Sequence, residues 1–299
     1  MGVLPDLSKY EKYQELTQGT MRYYEAGTNN KRKLLLCHGM GVYTTADTFL
    51  FMIEPLAEKY HVIAVDYLGF GKSTRKLENG PTFDVIVDGI RELLYKLEFH
   101  PVDLIGHSAG PWFGGILAYE SPNLVRSLIG IGSAGMNVQA VAGVANYKAP
   151  DRDNIRNSYI GNSVFEGSEL TWEQVDAMAD LWMEHGTRPS APEAFEALKP
   201  LVNQMATPDI RKSYLLQRRM PYLAMPTCWI WGKSEGMEPW PTYTAEWDQI
   251  GGDPRKSSKP WVPPQAEYHL LPVGTHNAHW ELPSEVTRIC SEFIDSVPE

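Results

Sequence analysis

Apolar residues follow two alternating rhythms along this chain. Short aliphatic and β-branched runs occupy residues 33–37 (KLLLC), 61–66 (HVIAVD), 102–106 (VDLIG), 127–132 (SLIGIG), 227–232 (TCWIWG) and 268–273 (YHLLPV). Runs this short, without polar alternation, fit strands of a parallel sheet buried on both faces. Between the second and third lies FDVIVDGIRELLYKL, residues 83–97, whose apolar positions recur three and four apart. That spacing predicts a crossover helix. Six strands alternating with helices predict an α/β fold, a mostly parallel sheet with helices on both faces.

The rhythm changes after Gly132. From about Ala134 to Met220 strand-like runs disappear, and Trp, Met and polar residues take over. Helices are predicted over residues 171–185 and 210–219. Thr171 with Gln174 forms a capping box, and Trp172, Val175, Met178 and Trp182 fall on one face of the first helix. A helical insertion between two strands needs a surface to rest on, and open α/β sheets bind ligands at their C-terminal edge. The expected organisation is a core at 1–134, a helical cap at 135–220 and the rest of the core at 221–299. Residues 251–265 (GGDPRKSSKPWVPPQ) read as a long surface loop.

Composition narrows the functional classes. The 299 residues are 43% hydrophobic, enough to bury a large core and enclose a pocket. Twenty-seven basic against 37 acidic residues give a formal charge of -10, without a Lys/Arg run to follow a phosphate backbone. Cys37, Cys228 and Cys290 stand singly in apolar segments, without zinc-finger spacing, and read as buried small hydrophobes in a reducing compartment. The N-terminus lacks a signal-peptide pattern, and no apolar run reaches membrane-spanning length. The expectation is a cytoplasmic protein acting on a small molecule, with no cofactor, metal, nucleic acid or membrane partner. A homodimer is compatible with the chain.

Candidate chemistry starts at LIGHSAGPW, residues 104–112. A strand turning abruptly into a helix forces the turning residue into a strained conformation and requires small neighbours two positions away. Gly106 and Gly110 supply these around Ser108. A serine hydroxyl needs a base, an acid to orient that base, and donors for an oxyanion. After the last strand, His276 and His279 are candidate bases, whereas His269 sits within a strand run and reads as structural. Glu235, just past the fifth predicted strand, is the preferred acid, with Glu238 further out. The Gly-flanked loop after the first strand offers the Met40 N–H, to pair with that of Ala109, as the oxyanion donors. His38 reads as a loop-bonding residue. Gly39, Gly41, Trp112, Trp182, Met136 and Asn277 complete the expected substrate-binding set.

These residues resemble the α/β-hydrolase family with a helical cap over nearly the whole chain. The likeness rests on His38-Gly39, on Asp66 to Ser73 (DYLGFGKS), on the Ser108 turn, on Trp231-Gly232 followed by an acid, and on His276 with Glu281 and Pro283. In that family the catalytic histidine precedes such a Glu by five and such a Pro by seven, which selects His276. The segments 38–55, 66–73 and 130–136 are most similar to hydrolases that cleave carbon–carbon bonds of ring-opened aromatic metabolites. Departures include His107 before the serine, Ala109-Gly110-Pro111 after it, Asn277 where Trp is common, Thr275 for Gly, Glu for Asp as the acid, and no counterpart of their substrate-binding cap Arg. The aromatic residues of the expected cap, with Trp112, favour a mostly apolar substrate, aromatic or not, so the expected activity is a serine hydrolase for an ester or lactone of that kind. Carbon–carbon hydrolysis is the alternative, and a small-molecule sensor on the same fold is the reading from another class.

Overall fold

The computed structural model of the protein describes residues 3–135, 149–234 and 265–298. Eight strands form one sheet: β1 (Glu11–Leu16), β2 (Gly19–Ala26), β3 (Lys33–Cys37), β4 (His61–Val65), β5 (Val102–His107), β6 (Val125–Ile131), β7 (Thr227–Gly232) and β8 (Glu267–Leu271). Their order is β1-β2-β4-β3-β5-β6-β7-β8. β1 pairs with β2, and β2 with β4, antiparallel; every other pair is parallel.

The six predicted runs are β3 to β8. Alternate residues of these strands enter different layers, Leu35, Ile63, Leu104 and Trp229 on one face and Leu34, Leu36, Ile105 and Ile230 on the other. Both faces of β3 to β7 are covered, so no polar alternation marks these strands in the sequence, whereas β8 at the edge leaves Glu267 exposed. The β1–β2 hairpin was not predicted from the apolar runs. β1 is an edge strand in which only Leu16 is buried, so it reads as solvated surface.

Helices α1 (Phe83–Lys96), α2 (Gly110–Glu120), α3 (Trp172–Gly186), α4 (Ala191–Ala206) and α5 (Pro283–Ser296) are the long ones among the described residues. The Thr171 and Gln174 side chains make the reciprocal bonds of a capping box at the start of α3. Val175, Met178 and Trp182 are buried as expected, but Trp172 is 49% exposed. It occupies the first helical position, where the Arg156 guanidinium rather than the core covers its ring, 5.0 Å from the centroid. The single helix predicted over 210–219 is instead two, Pro208–Tyr214 and Leu216–Arg219, broken at Leu215 in an extended conformation. Leu215 and Leu216 at the break are both fully buried. Of the predicted loop, residues 251–264 lie outside the described residues. No helix among the described residues is long and apolar enough to cross a membrane.

At the β5–α2 junction the chain reverses within two residues. Ser108 has φ of 56°, a left-handed conformation that costs a non-glycine residue about 1–3 kcal/mol. Its N–H donates to the Ile131 carbonyl at 3.0 Å, and its carbonyl accepts from the Ala134 N–H at 2.6 Å. A side chain at Gly106 would meet the backbone of Gly110 and Pro111, and one at Gly110 would meet the Cys37 carbonyl. The two glycines thus allow α2 to begin directly against β5 and β3. Gly110→Ala should therefore lower unfolding stability by about 2 kcal/mol or more, since the obstacle is backbone that cannot rotate away. Denaturant unfolding checks this, and an unchanged midpoint would contradict it.

Candidate active site at the sheet edge

Ser108 opens onto a cavity of about 340 Å³ at the C-terminal edge of the sheet. Three loops converge there. The loop after β3 passes closest, since a Cβ built on Gly39 would stand 3.0 Å from the Ser108 Cβ and 3.4 Å from its Oγ. Gly39, Met40 and Gly41 all line the cavity. Among the described residues, no backbone carbonyl takes the amide hydrogen of Met40 or of the buried Ala109. Both amides remain available to an incoming oxygen, and the start of α2 favours negative charge beside Ser108.

The loops after β7 and β8 run together. The Ser234 N–H donates to the Gly274 carbonyl at 2.9 Å, and Gly232 lies where any Cβ would strike the backbone of Gly274 and Thr275. Glu281, fully buried, receives the Thr275 N–H at 2.6 Å and the Thr275 hydroxyl at 2.5 Å. This carboxylate clamps the residue before His276, giving a physical reason for a Glu five positions after that histidine. His276 and Asn277 line the cavity together with Ser108. Asn277 also reaches the inserted helices, donating to the Tyr159 carbonyl at 3.3 Å and to the Ser163 hydroxyl at 3.4 Å.

His107 bonds the same loop from below. Its Nε2 stands 3.0 Å from the His276 carbonyl, an acceptor only, so Nε2 carries the hydrogen. Its Nδ1 is buried without a partner among the described residues. His279 lies on the other side of that ring, centroids 4.0 Å apart, and neither of its nitrogens is paired among the described residues. It does not line the cavity, whereas His276 does.

The other sequence-predicted residues divide. Trp112 does not line the cavity: it is fully buried, packs at a tilt against Phe83 and donates its indole N–H to the Tyr214 carbonyl at 2.7 Å. The helix that follows Ser108 turns its first aromatic residue into the core, away from the edge. Trp182 is also fully buried, one layer behind Tyr43 and Trp280, which with Tyr159 do line the cavity. Glu235, Glu238 and Met136 lie outside the described residues. His38 bonds its own loop, with Nδ1 2.6 Å from the Gly39 carbonyl.

Sequence reasoning missed the wall supplied by the inserted helices, where Ser158, Tyr159 and Asn162 present uncharged polar groups beside Thr44. No motif marks these residues; only the path of the insertion brings them over Ser108. The arginines of the insertion go elsewhere. Arg152 pairs with Asp180 and Arg156 with Asp176, each at 2.5 Å, and Arg219 donates to the Leu215 carbonyl. Arg218 is exposed and lines no part of the cavity. Among the described lining residues there is no Lys, Arg, Asp or Glu.

A family model described as alpha/beta hydrolase fold matches residues 33–283. The chain belongs to that family. It is 31% identical over 193 residues to the 2-hydroxymuconate semialdehyde hydrolase of Pseudomonas sp. (strain CF600), covering 63% of this chain and 66% of that protein. The chain thus spans less than two thirds of that relative's length. Over 300 residues it is 23% identical to the 2-hydroxy-6-oxononadienedioate/2-hydroxy-6-oxononatrienedioate hydrolase of Paraburkholderia xenovorans (strain LB400), covering 96% of this chain and 95% of that one. A solved structure of a meta-cleavage product hydrolase from Pseudomonas fluorescens IP01 superposes with a TM-score of 0.74 at 20% identity, covering 96% of this chain and 98% of that one. At that identity the superposition speaks for the fold.

Three histidines in and beneath the site are held neutral. Burial pushes His38 down to about 4. Burial, then the neighbouring histidines, push His107 and His279 well below the ordinary value of 6.5. Such a base binds fewer protons folded than unfolded, so stability rises with pH and is lost as pH falls below about 6.5. At pH 5 His38 should subtract about 2 kcal/mol, and His107 and His279 act in the same direction. Urea midpoints measured between pH 7.5 and 5 should fall accordingly, and His279→Met should make the fall shallower because it removes two unpaired buried nitrogens. A stability that stays level across this range would contradict the buried neutral histidines.

Proposed function

We propose that the protein is a serine hydrolase for an uncharged carbonyl compound, an ester or lactone. Ser108 is the nucleophile, His276 the base and Glu235 the acid that orients it. Neutral His276 takes the hydroxyl proton as Ser108 attacks the carbonyl carbon. The amides of Met40 and Ala109 hold the oxyanion, each worth about 2.7–4 kcal/mol of barrier. The tetrahedral intermediate collapses, and the alcohol leaves with the proton from His276. Water, deprotonated by the same imidazole, then releases the acid from Ser108.

The observation that carries this reading is a strained serine sharing one cavity with His276 at the sheet edge. Backbone strain of this kind persists where the surrounding structure over-determines it, and it aims the hydroxyl at the opening. The uncharged polar lining argues for a neutral substrate, because a carboxylate stripped of water needs a cation or several donors. Tyr43 and Trp280 supply apolar surface for an aromatic or aliphatic acyl portion.

Carbon–carbon hydrolysis is the second reading, favoured by the relatives named above. Two of their substrates are named as a muconate semialdehyde and a dioate, which carry carboxylates. The described cavity wall offers such groups no cation. Cleavage of a neutral diketone would satisfy both the likeness and the lining.

Two measurements separate these readings. Ser108→Ala should reduce kcat for a neutral ester by about 10⁴-fold or more, as loss of an activated nucleophile does. Wild-type kcat/KM for that ester should exceed that for a carboxylate-bearing analogue of equal size by more than about tenfold, the discrimination of roughly 1.4 kcal/mol expected from one uncompensated buried charge. Faster turnover of a carboxylated vinylogous diketone than of any ester would overturn the ester reading. Undiminished activity in Ser108→Ala would overturn both.

A further inference from the structure

Away from the Ser108 cavity, β7 and β8 gather three side chains of mixed donor type. Cys228 on β7 and Glu267 on β8 are register partners, and His269 lies two residues further along β8. Strand alternation therefore puts all three on one face of the sheet. A thiol sulfur, a carboxylate oxygen and an imidazole nitrogen lie within 4.8 Å of one another there. His269 Nε2 and a Glu267 oxygen are already 2.6 Å apart. Cys228 is fully buried, while the His269 and Glu267 side chains are 32% and 43% exposed. The cluster thus has a closed inner end and an open outer one.

We propose that Cys228, Glu267 and His269 form a binding site for a zinc-type divalent cation, with water in the fourth position. Calcium and magnesium take oxygen ligands and have no use for a thiol. Sulfur, nitrogen and oxygen donors together suit zinc or cobalt, which accept three protein ligands around a tetrahedral centre. The ion enters between Glu267 and His269 and meets the sulfur at the inner end. Burial keeps the Cys228 thiol protonated. Binding therefore exchanges one S–H bond for one metal–sulfur bond and releases one proton to solvent, with no change of oxidation state.

A pair of parallel strands held together at one edge by hydrogen bonds gains a cross-link from such an ion. β7 leads into Ser234, and β8 into the loop bearing His276, so the ion would brace both strands that carry cavity residues. The site itself lies outside the cavity, and its existence does not depend on which reaction Ser108 performs.

Cobalt is the probe, because thiolate ligation gives a sulfur-to-cobalt charge-transfer band in the near ultraviolet. Titration of the full chain, freed of metal by chelation, should produce that band, and added zinc should abolish it by competition. Cys228→Ser should eliminate the band, while Cys290→Ser and Cys37→Ser retain it. His269→Gln, at a half-exposed position where folding is not at stake, should weaken cobalt binding by more than about tenfold. Zinc should raise the melting temperature of the wild type and leave that of His269→Gln unmoved. No band in the wild type would overturn the site. So would a band that survives in Cys228→Ser, or one lost in Cys290→Ser. If Cys228→Ser fails to fold, unaltered cobalt affinity in His269→Gln overturns it alone.

Discussion

The left-handed backbone of Ser108 is the constraint on which the rest of this molecule depends. One residue in that conformation costs about as much as one good side-chain contact returns, so something must hold it there. The Ile131 carbonyl takes its N–H, the Ala134 N–H reaches its carbonyl, and Gly110 lies on the Cys37 carbonyl. β3, β5 and β6 are thereby locked to a single turn. Because those strands are central in the sheet and buried on both faces, the turn cannot relax without opening the core. The sheet's stability fixes the direction of one hydroxyl.

The histidine loop is held by a different kind of force. It makes no sheet ladder of its own, and polar side chains locate it. The Glu281 carboxylate takes two hydrogens from Thr275, and the His107 ring donates to the His276 carbonyl. Those bonds occupy one nitrogen of His107 and leave its Nδ1 and both nitrogens of His279 unpaired among the described residues. Two neutral imidazoles, their centroids 4.0 Å apart and their planes tilted, form a polar but uncharged floor. Protonating either would set a charge beside its neighbour in a space that water does not reach, which is why burial and mutual repulsion act in the same direction there.

The sequence revealed elements wherever one local force decided the outcome. β3 to β7 were legible because strands buried on both faces are largely apolar, and the start of α3 because Thr171 and Gln174 bond within one turn. The Ser108 turn was legible because Gly106 and Gly110 are required by backbone contact, and the Glu five positions after His276 has its counterpart in the carboxylate that clamps Thr275. What escaped notice depends on distant parts of the chain. β1 is an edge strand with one buried residue, and its pattern carries almost no apolar signal. Trp112 and Trp182 were expected at the ligand on chemical type, yet tryptophan fills core and cavity equally well, and only packing against Phe83 or behind Tyr43 and Trp280 decides which. Ser158, Tyr159 and Asn162 carry no local sign of function, because their role follows from where the insertion lands.

That landing is itself fixed by charge. Arg22 is wholly buried, with Asp66 at 3.1 Å, Glu11 at 3.0 Å and Asp47 at 3.7 Å, and its guanidinium lies over the Tyr24 ring. Asp47 accepts from the Tyr24 hydroxyl at 2.5 Å and the Thr45 hydroxyl at 2.7 Å, and lies 2.9 Å from His185 Nδ1. Burial alone would raise its pKa, but the His185 hydrogen bond and the Arg22 charge outweigh it and hold the carboxyl well below its usual range. His185 belongs to the last turn of α3, and the next residue, Gly186, packs on the Tyr43 backbone while its carbonyl accepts from Arg75. A network of this kind adds little net stability over an apolar equivalent, yet it tolerates few alternatives, since losing one partner strands a charge in the core. Asp47 lies in the same loop as Gly39, which passes beside Ser108, so one buried carboxylate ties that loop to the last turn of α3. Moving α3 would therefore disturb the loop that passes beside Ser108.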